Sequence, residues 1–343
     1  MAVTACRVSM QPRVIIWCDG GHQTGHGHIS RGMALASAMR GLGWRALFVT
    51  QNPAPGPWIN RCGFDHVTIH SHKQLFELCL QQAVRALIVD LPSDINGDIF
   101  HSLQGVGIVT AVIDCRFEWR RRAALAFYPH GEAMTELNWS GYTGRVLAGL
   151  PWMVLRGEFM RACIVPRRRD LLICAGASDP FGLTVTSMYY LNRLHGYTLT
   201  VVVGPQCRDV KAIERLGRTS HHDVHIEKAP SVTRFIRLLD SHRLGLMSFG
   251  ITAYESARRG LPALYMNFSR QQIPSARAFS AFGFARNLGF MQDINAANMC
   301  ESVSRLLAQP YRLRLMGQQA RRLVDGCGAS RIAVTIARYA GVA

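Results

Sequence analysis

The feature that most constrains this chain is a phrase it repeats: a short apolar run, most often stopping at an acid or a glycine, that gives way to a helix-length segment. Residues 13–19 (RVIIWCD), 45–50 (RALFVT), 85–90 (RALIVD) and 107–114 (GIVTAVID) carry it in the first half. Residues 170–176 (DLLICAG), 198–204 (TLTVVVG), 243–250 (RLGLMSFG) and 261–266 (LPALYM) carry it in the second. Strands with no polar face for water belong to mostly parallel sheets that helices cover on both sides. Such sheets bind ligands outside the carboxyl ends of their strands. Asp19, Asp90 and Asp114 stand at such ends.

A chain of 343 residues is long for one hydrophobic core and suits two domains. The segment GRVLAGLPWMVLRGEFMRACIVPRRRD, broken by Pro151 and Pro166, separates the halves. The expected domains are 1–165 and 166–343, with the terminal helix near 331–339 a candidate to return to the first domain. Hydrophobic residues at 48% against charged residues at 18% exclude a disordered chain.

The net charge of +17 invites a nucleic-acid reading. Yet Lys occurs only at 73, 211 and 228, and the arginines are scattered, with short clusters at 120–122 and 167–169. No basic tail, zinc-finger spacing or aromatic-interleaved motif accompanies them, so no specific nucleic-acid partner is expected. An anionic substrate or an acidic membrane surface accounts for the balance as well as DNA does. The ten cysteines form no C-x-x-C pair. The first residues do not read as a signal peptide, and no window approaches the roughly 20 apolar residues of a membrane span. A cytoplasmic location is the expectation.

The sharpest local feature is DGGHQTGHGHISR, Asp19 to Arg31. It follows a strand and enters a helix, so Gly25 and Gly27 permit close approach of backbone to ligand, and the helix-start N–H groups favour an anion. It is neither the dinucleotide G-x-G-x-x-G pattern nor a P-loop. His28 stands at the helix entrance, where a neutral imidazole able to accept a proton is favoured. The same position also suits a histidine that braces the turn. His22 and His26 with Asp19 raise a metal cluster as an alternative, in a spacing that matches no established zinc pattern. Arg31 suits a phosphate, or an acid such as Asp19.

In the second half, AGASDP (Gly176, Ser178, Asp179) reads either as a phosphate-wrapping turn or as a capped helix start. In SFGITAYESARRGLP, Gly250 offers backbone N–H groups, Thr252 a hydroxyl and Glu255 a carboxylate able to accept two ribose hydroxyls. Glu255 equally suits the helix dipole.

These segments together resemble the UDP-sugar hydrolases of pseudaminic-acid biosynthesis, within the GT-B glycosyltransferase-like superfamily. The hydrolase pattern D-G-x(4)-G-x-G-H-x-x-R is met by Asp19, Gly20, Gly25, Gly27, His28 and Arg31. The G-x-T-x-x-E element is met by Gly250, Thr252 and Glu255, and Arg270, Gln271 and Gln272 follow a donor-like GLPALYM. The segment Leu155, Arg156, Glu158 and Phe159 also matches, whereas Asp90-Leu91-Pro92 stands where those hydrolases carry D-H-Y. The resemblance implies an α/β, GT-B-like chain of two Rossmann-like domains with mostly parallel sheets facing a central cleft. It implies a UDP-sugar substrate held by the second domain, with the 176–179 and 250–252 turns near phosphate and Glu255 on ribose. His28, with Asp19 and Arg31, would serve catalysis in the first domain, without metal or cofactor. The reaction so implied is hydrolysis of a UDP-activated deoxy amino sugar to free sugar and UDP. The alternatives are glycosyl transfer to a hydroxyl acceptor and sugar-nucleotide binding without catalysis.

Overall fold

The computed structural model describes residues 11–20, 27–129, 137–160 and 167–342. The chain divides into two compact units, one of Met1–Arg156 with Cys327–Ala343, the other of Gly157–Gly326. Pro166, near which the sequence suggested the boundary, lies outside the described residues.

Unit 1 contains β1 (Arg13–Cys18), α1 (Gly27–Gly41), β2 (Arg45–Thr50), α2 (Gly56–Arg61), β3 (Asp65–Thr68), α3 (His72–Gln81), β4 (Val84–Asp90), α4 (Asp98–Gly105), β5 (Val109–Ile113), β6 (Leu125–Tyr128) and β7 (Arg145–Ala148). The seven strands among the described residues pair in parallel in the order β3-β2-β1-β4-β5-β6-β7. Side chains of β1 alternate between two cores, as the two-residue strand period requires. Val14, Ile16 and Cys18 join Leu35 and Met39 of α1, while Ile15 and Trp17 join Leu75 of α3 and Phe100 of α4. Gly32 permits the first packing, since a Cβ there would meet Phe48 at 2.9 Å and Ile16 at 3.2 Å.

Unit 2 repeats the plan with β8 (Arg169–Cys174), α5 (Leu183–Leu191), β9 (Thr198–Val203), α6 (Val210–Arg218), β10 (Asp223–Lys228), α7 (Val232–Ser241), β11 (His242–Ser248), α8 (Ile251–Arg258), β12 (Ala263–Asn267), α9 (Ile273–Ala281) and β13 (Ala285–Phe290). Its six described strands are also parallel, in the order β10-β9-β8-β11-β12-β13. Helices α10 (Ala296–Leu307) and α11 (Pro310–Leu323) complete it, and α12 (Gly328–Tyr339) belongs to unit 1. There Ile332, Ala333 and Ile336 of α12 enter the same core as α1. Each sheet reverses its strand order once, between β1 and β4 and between β8 and β11, and a crevice forms at such a reversal. Two Rossmann-like domains with parallel sheets are thus observed.

The arginine excess has a structural explanation in part. Arg120, wholly buried, donates to the carbonyls of Phe117 and Asn138. Arg85 and Arg331 donate to those of Ala340 and Pro151. A guanidinium holds several carbonyls at once, which a lysine ammonium does less well. Among the described residues, no helix is long and apolar enough to cross a membrane.

Candidate functional site

In unit 1 the reversal point carries a triad drawn from the end of β4, which supplies Asp90, and the start of α1, which supplies His28 and Arg31. Cys18, the last residue of β1, is in register with Asp90, the last residue of β4. The helix that follows β1 therefore starts beside Asp90, with His28 and Arg31 one turn apart on the same side. Arg31 grips the carboxylate with two charge-assisted bonds, Nε to Oδ2 at 2.8 Å and Nη2 to Oδ1 at 2.8 Å. His28 Nδ1 lies 2.7 Å from Oδ1.

Burial of Asp90 raises its pKa, but the Arg31 charge and the bonds from His28 and Arg31 outweigh it, leaving the carboxyl at about 2. Burial likewise opposes the charge of Arg31, and Asp90 reverses the sign, so the guanidinium is held more firmly protonated than usual. An ionised carboxylate at 2.7 Å requires a proton on the facing nitrogen, so Nδ1–H of His28 donates to Asp90. The Arg31 Nη2 at 3.1 Å from Nδ1 is then a neighbour sharing the same acceptor, not a donor to the ring. Nε2 of a neutral His28 is left as the accepting nitrogen, on a side chain 22% exposed.

Arg31 was expected to pair with a phosphate or with an acid such as Asp19. Its carboxylate partner is Asp90. Asp19 instead holds the loop that leaves β2, on the other side of β1: its carboxylate accepts from the N–H groups of Gln51 and Asn52 at 3.2 and 3.4 Å, and from its neighbour Gly20 at 3.2 Å. Asp114, at the end of the adjacent β5, has a left-handed backbone (φ 51) and adds negative charge felt by Arg31. Gly27 opens α1, whereas Gly25, His22 and His26 lie outside the described residues. Among the described residues, no cluster of three His, Cys, Asp or Glu side chains is placed to hold a metal ion.

In unit 2, two turns flank the reversal between β8 and β11. Gly176 and Ser248 abut, since a Cβ on Gly176 would lie 3.8 Å from the Ser248 hydroxyl. Ser178 is half-buried in the first turn. Asp179 closes that turn on itself: its carboxylate accepts from the N–H groups of Leu183 at 2.8 Å and Thr184 at 2.9 Å, the start of α5. A carboxylate in that place satisfies the helix start and leaves it unattractive to a second anion.

The other turn is built differently. Gly250 precedes α8 in extended conformation, no side chain caps the helix, and its first turn has no acid. Thr252 is half-buried there, beside Ile251, which is 45% exposed. Glu255 is buried, 3% exposed, on a helix whose residues Ala253–Ala257 are all buried. On the same helix Tyr254 joins an aromatic cluster in which Phe249, Tyr254, Tyr265 and Phe284 pack around Phe279, while the Glu255 charge is felt by Cys174 at the end of β8. Gln272 donates from Nε2 to the Phe249 carbonyl at 3.1 Å, and its Oε1 is buried without a partner among the described residues. Gln271 lies beside it in a short 3-10 turn, Arg270–Gln272.

No family model matches the chain, and no curated protein matches it. Solved structures do. MurG of Acinetobacter baumannii is 14% identical with a TM-score of 0.70, covering 95% of this chain and 99% of that one. A glycosyltransferase of Rickettsia africae is 11% identical at 0.67, covering 96% and 98%. A UDP-GlcNAc 2-epimerase of Neisseria meningitidis, bound to UDP-GlcNAc, is 12% identical at 0.60, covering 96% and 100%. The chain has the GT-B-like fold of these glycosyltransferase and epimerase structures. Nothing among these likenesses singles out the pseudaminic-acid hydrolases.

Proposed function

We propose that the chain is a sugar-nucleotide enzyme that transfers the glycosyl group of a UDP-sugar to a hydroxyl acceptor, with His28 as general base. The observation that carries this reading is the buried, ionised Asp90 that fixes the His28 tautomer. Nε2 takes the acceptor proton as the oxygen attacks the anomeric carbon. The bond from that carbon to the diphosphate breaks, and UDP leaves with the bonding pair. Asp90 steadies the imidazolium that results, and Arg31 keeps Asp90 ionised throughout. The uncapped start of α8, with Gly250 and Thr252, receives the developing diphosphate charge, with Gly176 and Ser178 beside it. Glu255 is assigned to the ribose, and Gln271 and Gln272 to the donor sugar.

Fold likeness to glycosyltransferase structures favours a hydroxyl acceptor. The pattern completed by His28 and Arg31 favours water, giving hydrolysis of a UDP-activated deoxy amino sugar in a cytoplasmic polysaccharide pathway. Incubation with UDP-sugars, with and without acceptor alcohols, separates the two readings. Glycoside formed only with acceptor supports transfer; free reducing sugar without acceptor supports hydrolysis; UDP binding with neither product overturns catalysis. His28→Asn is expected to lower turnover by roughly 10²–10⁴ while UDP affinity persists. Turnover near wild type at every pH would remove His28 from the chemistry.

A further inference from the structure

Unit 2 has a basic cavity at the amino ends of its central strands, the opposite end of the sheet from the turns just described. Its volume is about 350 Å³, and four of its walls are arginines: Arg167, Arg243, Arg314 and Arg321. Arg167 precedes β8 and Arg243 lies at the start of β11. These parallel strands run away from the cavity toward Cys174 and Ser248. The seven residues of β11 span about 20 Å, so this cavity is separate from the proposed donor site.

Three of the four guanidinium groups have no carboxylate partner among the described residues. Arg243 pairs with Asp170 at 2.9 Å. Arg167 is spent on carbonyls, those of Leu239, His242 and Arg259 at 2.7, 2.6 and 2.7 Å. Arg314 lies 5.3 Å over the Tyr311 ring. Arg321 is seated against Gly260, where a Cβ would meet its Nε at 2.6 Å, and Gly317 packs on the Gly260 carbonyl so tightly that no side chain fits. The glycine pair thus brings α11 and its arginines against the loop that leads from α8 into β12. The nearby acid Asp240 is engaged by Arg259 through two bonds at 2.8 and 2.7 Å.

Two further observations agree with an unneutralised positive field. The start of α11 borders the cavity at Pro310 and Leu313, with no capping side chain and no acid in its first turn. Burial, then the charge of Arg321, draws the Arg167 guanidinium down to about 10, with Arg259 adding to the shift and Asp240 opposing it.

We propose that this cavity is a second binding site in unit 2, for a small anion that carries a diphosphate group. Converging guanidinium groups select multiply charged oxyanions, which they engage with paired hydrogen bonds. The volume falls within the range of small-ligand pockets, and Leu313 and Pro310 offer apolar wall for the rest of the molecule.

The test uses inorganic diphosphate and the full chain. Phenylglyoxal labelling, read by mass spectrometry, should show Arg314 and Arg321 protected severalfold by diphosphate. Arg312 and Arg322, on the same helix but outside the cavity, should label at an unchanged rate. By calorimetry, the pair Arg314→Gln and Arg321→Gln should weaken diphosphate binding about tenfold or more, whereas Arg312→Gln with Arg322→Gln should leave it unaltered. Uniform protection of all four arginines, protection of none, or equal loss in the two charge-matched pairs would overturn the site and leave only a response to net charge. These readouts do not depend on turnover or on UDP.

Discussion

The two units begin with the same strand, turn and helix, and they finish that turn in opposite ways. After β8 the chain supplies its own anion: Asp179 accepts from the first N–H groups of α5 and the helix start is satisfied. After β1 the helix start carries His28 and Arg31, and the acid that organises them comes from β4, 59 residues beyond Arg31. A locally capped turn is stable and inert. A turn completed by a distant strand spends its charges on a geometry, and that geometry can serve chemistry.

The largest expected effect is at the borrowed acid. Asp90→Asn removes the charge that fixes the His28 tautomer, and loss of that function in a comparable triad costs about 10⁴ in turnover. It also strands Arg31 beside a neutral amide, so denaturant unfolding should show a loss of about 3–5 kcal/mol. Turnover and stability both near wild type would break the comparison.

The next largest effect is an acid dependence that tells the units apart. In unit 2, burial draws the His242 imidazole down to about 4, the nearby Arg169 and Arg167 charges adding to the shift. The unfolded chain therefore binds this proton first. Stability is full above the ordinary histidine pKa of about 6.5 and falls as pH drops from there to about 4, by roughly 3 kcal/mol. Asp90 acts lower, since its folded pKa is depressed to about 2. Its stabilisation is present above the usual carboxyl value and is lost as pH falls toward 2. Unfolding titrations of His242→Gln should lack the first step and keep the second.

Asp179→Ala is expected to cost about 1–2 kcal/mol by thermal or denaturant unfolding, with turnover scarcely changed. A collapse of turnover with the fold intact would return Asp179 to the binding machinery. The smallest effect comes from making the open turn resemble the closed one. Gly250 has an extended backbone and open space around a Cβ, so Gly250→Asp should cap α8 and raise stability by up to about 1 kcal/mol. The same carboxylate would stand where diphosphate is proposed to bind and should weaken UDP severalfold in a titration. Unchanged UDP affinity would move the donor phosphates away from α8.

Much of the fold was legible because the inner strands of both sheets are mostly apolar runs, which are soluble only when buried on both faces; β3 (DHVT), β10 (DVHIEK) and β13 (ARNLGF), at the outer positions, carry no such signal. The conspicuous glycine-histidine turn was legible for a related reason, since it directly follows the first of those runs. Asp90 was visible as an acid at a strand end, but its bond to Arg31 was not. Asp19 was nearer in sequence, and only the strand order β2-β1-β4 shows that Asp19 faces β2 while Asp90 faces α1. Glu255 had two readings on its helix. Its burial, close enough to Cys174 of β8 for its charge to be felt there, depends on how α8 packs on the sheet, which no local spacing announces.

What the sequence by itself determined is therefore local: apolar runs that must become covered strands, glycines that let turns close, and acids and arginines present in number. Which of those charges meet was decided only by the tertiary structure. A residue's pairing across a sheet depends on strand order and register, and these are set by packing of the whole domain. Hence the same residue type caps a helix at Asp179, tethers a loop at Asp19 and holds a histidine at Asp90.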